Sequence, residues 1–124
     1  MDEKYLIWFK DLPKLVRVGP MFFNLKIVEP DVMNEEGPMG MTRKDLNEIV
    51  VRLTGNLSQD LNTILHEINH AIFAAQDLGD KSTEEEVVIR ITNGELALLM
   101  DNPRLRDWLY NTVCSLMESA EGQL

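Results

Sequence analysis

Both histidines of this chain fall in one five-residue string, His66-Glu67-Ile68-Asn69-His70, a spacing that an α-helix turns into a single face. Positions i and i+4 lie one above the other on a helix, so two imidazoles placed this way can grip one metal ion. The flanks support a packed helix. Leu61, Ile64, Leu65, Ile68, Ala71, Ile72 and Phe73 are apolar, and no Asp, Glu, Lys or Arg stands between Ile68 and Gln76. A helix this apolar needs a partner layer, and an imidazole pair buried in its stripe is costly unless something pairs with it. The chain is therefore expected to fold around this helix and to offer His66 and His70 to a metal.

The string reads H-E-x-x-H. In that pattern the histidines are metal ligands, and the glutamate one step round the helix poises a water rather than binding the ion. Glu67 is thus the expected general base, and Zn²⁺ the expected cofactor. A catalytic zinc takes three protein ligands and leaves one position for water. With both histidines used, the third ligand must be a carboxylate or the single cysteine. Cys114 lies in an apolar helical stretch and reads as a small core residue. The metzincin extension is missing, because Phe73 and Gln76 stand where glycine and histidine would be.

The rest of the chain bounds the answer. Its 124 residues make one domain, 1–124, with a core but no room for a second. An apolar fraction of 44% is ordinary for a globular protein, and no apolar run approaches the length of a membrane span. The opening Met1-Asp2-Glu3-Lys4 is polar and acidic, unlike an export signal. One cysteine forbids an internal disulfide and fits a reducing compartment, so the cytoplasm is the expected location. The net charge of −9 argues against a nucleic-acid partner, because phosphate binding wants a basic face.

Strand signals fill the first half and helix signals the second. Tyr5-Leu6-Ile7-Trp8-Phe9 and Leu15-Val16-Arg17-Val18 are short β-prone runs, and Gly19-Pro20 turns the chain into Met21 to Val28. The alternation of Phe23, Leu25 and Ile27 with Asn24 and Lys26 is the period of a half-buried strand. Glu29 to Met41 reads as a loop, with a short strand added at Met39 to Thr42, and Asn47 to Leu53 as the last strand. Ser58 is the expected cap of the motif helix, which runs to about Gln76 and ends at Asp77-Leu78-Gly79-Asp80. Ser82 or Thr83 caps a second helix reaching Met100, with Glu84, Glu85 and Glu86 in its first turn, where the macrodipole favours acids. After Asp101-Asn102-Pro103 a third helix spans roughly Arg104 to Glu118, with Leu105, Trp108, Leu109, Thr112, Val113 and Leu116 inward. The expected fold is α+β: a small, mostly antiparallel N-terminal sheet on the motif helix, followed by two C-terminal helices.

Downstream carboxylates for the third ligand are Asp77, Asp80, Glu84, Glu85, Glu86 and Glu95. If Val88, Ile91 and Thr92 form the inward stripe of the second helix, three and seven residues back from Val88 and Thr92 lies Glu85. Glu85 is therefore the expected ligand, with Glu84 and Glu86 as alternatives.

Thr63 to Ile72, Glu84-Glu85-Glu86-Val87-Val88, Asn93-Gly94 and Asp101-Asn102-Pro103 together resemble the small phage and prophage zinc-peptidase-like proteins. These are minimal relatives of the gluzincins. Gly40-Met41-Thr42 and Ile49-Val50-Val51 fit that group's last two strands, and the resemblance covers about residues 13 to 110. It implies a minimal zincin-like fold, with a glutamate ligand on the helix after the motif, and the host-cell cytoplasm as the location if the chain is phage-encoded. Glu95 stands where such proteins more often carry an apolar residue.

Three expectations follow. The first is a zinc metallopeptidase acting on a peptide or protein, with His66, His70 and Glu85 on the metal, Glu67 as base and Tyr110 as an oxyanion donor. In it the strand Asn47–Leu53, if it is the sheet edge beside the motif helix, holds the substrate by strand addition. The second is a zinc-stabilised interaction protein without turnover, and the third a helical partner domain whose motif is accidental.

Overall fold

The computed structural model describes the backbone of residues 3–29, 39–76 and 83–122. It is α+β: helix α1 (Glu3–Ile7), strands β1 (Leu15–Val18), β2 (Met21–Val28), β3 (Gly40–Arg43) and β4 (Glu48–Arg52), then helices α2 (Leu57–Ala75), α3 (Glu84–Asp101) and α4 (Pro103–Gly122). The four strands form one sheet in the order β1-β2-β4-β3. Two of the pairings are antiparallel, while β2 and β4 run parallel. That parallel pairing carries β4 into the sheet interior. The edge beside the motif helix is therefore β3, not the expected Asn47–Leu53 segment.

Local chemistry explains the turns. Val18 pairs with Met21 across a two-residue loop, and Gly19 at φ 59° supplies the positive dihedral that such a hairpin needs at its first position. The β-prone run at Tyr5–Phe9 instead forms the end of α1 and the turn after it. Trp8, Phe9 and Lys10 donate backbone hydrogen bonds three residues back, to Tyr5, Leu6 and Ile7. The spacing of four brings Tyr5 against Phe9, with ring centroids 5.4 Å apart, and Phe9 against Trp108 of α4 at 5.9 Å. Packing on α4 overrides local β propensity here.

Alternate residues of the strands (Val16, Val18, Phe23, Leu25, Ile49, Val51) join Leu61, Ile64, Ile68, Ala71 and Ile72 of α2 in the buried core. Helix α2 lies across β3 and β4, and α3 packs on α2 and β1. Asn56, two residues before Ser58, caps α2 by accepting from the Gln59 amide at 3.0 Å, and Thr83 caps α3 by accepting from Glu86 at 3.2 Å. The expected stop at Asp77–Asp80 and residues 30–38 of the expected Glu29–Met41 loop lie outside the described residues. Asn102 ties the α3–α4 junction to β1, its amide donating to the carbonyls of Arg17 and Leu98 and its oxygen accepting from the Arg17 amide.

Two helix faces differ from expectation. On α3, Leu98 and Gly94 are buried and Val87 and Ile91 half-buried, while Thr92 is exposed. The inward stripe is rotated because Gly94, not Thr92, is the close approach: a Cβ at Gly94 would sit 2.4 Å from Cγ2 of Ile72. On α4, Leu105, Trp108 and Thr112 are buried, but Val113 is turned to solvent.

One buried charge fixes the start of α2. Asp60 is fully buried and accepts from the Thr54 amide (3.0 Å), the Thr54 hydroxyl (2.7 Å), the Gly55 amide (3.3 Å) and the Tyr5 hydroxyl. Burial, then the hydrogen bond to Asp60 and its charge, push the Tyr5 phenol far above its ordinary pKa. Asp60 thereby clamps α1 and the β4–α2 turn to the motif helix.

Candidate metal centre

The core stripe of α2 decides where the motif residues point. His66 and His70 are two residues to either side of buried Ile68, about 160° round the helix in projection. Both imidazoles are consequently exposed, and the buried member of the motif is Glu67. The expected burial of the histidine pair is thus corrected: the desolvation cost falls on the carboxylate. Edge strand β3 runs over that side of α2 and covers it.

The Nε2 atoms of His66 and His70 stand 3.2 Å apart, with ring centroids 4.8 Å apart and planes at 75°. Two nitrogens bound to a tetrahedral zinc at about 2.0–2.1 Å lie about 3.3 Å from each other. The pair therefore has the separation that the ion requires. A ligand atom from each of His66, Glu67 and His70 falls within 4.8 Å of the others, the one such group of His, Cys, Asp and Glu among the described residues. These side chains line an open pocket of about 380 Å³ with Gly40, Met41, Thr42 and Lys44. A larger hollow of about 650 Å³, beside Trp8 and Trp108, shares no residue with it.

Glu67 is held from β3. The Thr42 hydroxyl lies 2.8 Å from Glu67 Oε1 and 3.0 Å from the Glu67 carbonyl oxygen, and donates its one proton between them. Gly40 lets the strand come this close, since a Cβ there would lie 2.8 Å from Oε2 and 2.7 Å from Cγ. Neither residue carries a local signal that marks it for the site. The period of two places positions 40 and 42 on one face of a strand, but only the sheet order puts that face over Glu67.

The other expected site residues stand apart. Glu85 is exposed on the first turn of α3, outside the His66–Glu67–His70 group. Gly94 faces Ile72, and Arg90 donates to the carbonyl of Gln76 at 3.1 Å, so α3 runs antiparallel to α2. Nine residues before Gly94, about 14 Å of helix, Glu85 sits toward and past the C-terminal end of α2. Glu86 and Glu95 are exposed as well, and the Glu84 side chain, Asp77 and Asp80 are outside the described residues. Tyr110 is 70% exposed on α4 and does not line the histidine pocket. Cys114 is half-buried on α4.

No helix among the described residues is long and apolar enough to cross a membrane. No protein-family model matches this chain, and neither a curated protein nor a solved structure does.

Proposed function

We propose that the chain is a zinc-dependent metallopeptidase of the H-E-x-x-H type, working in the cytoplasm. The observation that carries the reading is the 3.2 Å separation of the two histidine Nε2 atoms beside a buried, anchored carboxylate in an open pocket. His66 and His70 would hold the ion. Glu85 stands outside the group, toward and past the C-terminal end of α2, so it does not complete the site, and the two histidines carry the reading. Bound zinc would supply Lewis acidity, making water more acidic and a peptide carbonyl more electrophilic. Glu67 takes a proton from the attacking water onto its carboxylate and returns it to the leaving amine. Tyr110 has no part in this reading, because it lies away from the pocket.

The substrate is an extended peptide added to β3. Arg52 donates to the carbonyl of Met39, so in this antiparallel ladder residues 39, 41 and 43 face β4. Gly40 and Thr42 then direct their amides and carbonyls away from β4, to the side where no described strand pairs with β3, at the lip of the pocket. Main-chain pairing there gives affinity through the strand itself.

The test is hydrolysis of an unstructured protein by zinc-loaded wild type and by Glu67→Gln, with bound zinc quantified in both. Turnover by wild type, and its loss in Glu67→Gln with zinc retained, is the expected result. Stoichiometric zinc without turnover in wild type favours the interaction-protein alternative. Absence of bound zinc rejects both.

A further inference from the structure

We infer that Thr42 and Gly40 are positioning residues for Glu67: the Thr42 hydroxyl fixes Oε1, and the bare α-carbon of Gly40 keeps Oε2 free to move the proton. The inference rests on the metallopeptidase reading and assigns different work to the two oxygens of one carboxylate. A glutamate carboxylate turns readily about its last torsion, so its oxygens normally interchange. Here Oε1 is 2.8 Å from a hydroxyl on a sheet strand, while Oε2 faces the place where a side chain at position 40 would be. The strand thus breaks the symmetry of the base.

Gly40 supports this independently. A glycine inside a strand weakens it, and usually marks a close approach. Gly40 has none of the positive φ seen at Gly19 and Gly55, so its backbone does not call for glycine. What calls for it is Glu67, whose Oε2, Cγ and Cδ lie within 3.0 Å of the missing Cβ. An alanine there would push the carboxylate off its anchor. Because the outward amides and carbonyls of the same two residues would pair with the peptide, docking and base orientation meet in one strand.

Two measurements test the inference. In the metal-free protein, a double-mutant cycle of Thr42→Val and Glu67→Met on unfolding should be non-additive, with Thr42→Val costing less when Glu67 is already replaced. Strict additivity overturns the anchor. In the zinc-loaded protein, Thr42→Val and Gly40→Ala should lower kcat by at least about tenfold, with KM and zinc affinity near wild type, and Thr42→Ser should restore the rate. Unchanged kcat in Thr42→Val, against an active wild type, overturns the positioning role. An inactive zinc-loaded wild type instead rejects the peptidase reading and the positioning role with it, while the cycle still decides the anchor.

Discussion

His66 and His70 offer nitrogens from two turns of one rigid helix, so removing either leaves a single imidazole with no equivalent neighbour. His66→Ala and His70→Ala should each abolish stoichiometric zinc, read by metal analysis after dialysis, whereas Glu67→Gln should retain it. Full zinc in the double alanine variant would place the metal elsewhere. Asp60 is the other residue with a disproportionate share. Asp60→Ala strips an acceptor from the Thr54 amide and hydroxyl, the Gly55 amide and the Tyr5 hydroxyl. We expect a loss of roughly 3 kcal/mol in denaturant unfolding, since buried donors left unsatisfied cost about 1–3 kcal/mol each. Tyr5 adds a pH dependence of definite sign. Its phenol stays protonated in the folded state beyond the point, about pH 10, where the unfolded chain ionises. The unfolded state therefore binds fewer protons above about pH 10, and stability should fall there with rising pH. Tyr5→Phe should flatten that slope.

At the scale of elements, α3 carries the sharpest questions. Its close approach to α2 depends on Gly94, so Gly94→Ala should destabilise the fold by about 1–3 kcal/mol through overpacking against Ile72. The gain in helix propensity, about 1 kcal/mol, opposes this and is outweighed while Ile72 cannot move. A melting temperature at or above wild type would show that the two helices slide apart without strain. The first turn of α3 holds Glu85, which lies too far along α2 to join the histidines. Zinc titration against a competing chelator should therefore show Glu85→Ala, like Glu84→Ala and Glu86→Ala, within a few-fold of wild type. A loss of about tenfold or more in Glu85→Ala alone would show that α3 shifts to bring that carboxylate to the histidines. Glu67, within 4.8 Å of the histidines, is the nearest described carboxylate, and a glutamate on the metal would not be free to act as base.

For the whole molecule, zinc binding to the proposed site would be linked to folding by mass action. Zinc that binds the folded chain alone stabilises it by about 2.7 kcal/mol at a hundredfold excess over Kd. For a chain of this size that is a rise in melting temperature on the order of 10 °C. The motif helix sits on a core of strands and helices that includes no part of the metal group except its own scaffold, so the metal-free chain should remain folded. Scanning calorimetry with and without chelator checks both statements. A chain that unfolds outright on chelation would instead make zinc a structural requirement.

The sequence alone determined the helix of the motif, the placing of the four strands before the three long helices, and the two histidines as a pair, because each depends on local periodicity and short spacing. The i, i+4 rule needs no tertiary information, and neither do the turn at Gly19-Pro20 or the break at Pro103. What lay beyond local signals was decided by packing. The parallel pairing of β2 with β4 made β3 the edge and brought Gly40 and Thr42 over Glu67, residues 25 or more positions away in the chain. The same packing turned the Tyr5 run into a helix end and turn against α4, buried Glu67 instead of the histidines, and rotated α3 so that Gly94 faces Ile72. Strand order and helix rotation follow from which faces can be covered simultaneously, a property of the whole core that no window of sequence contains.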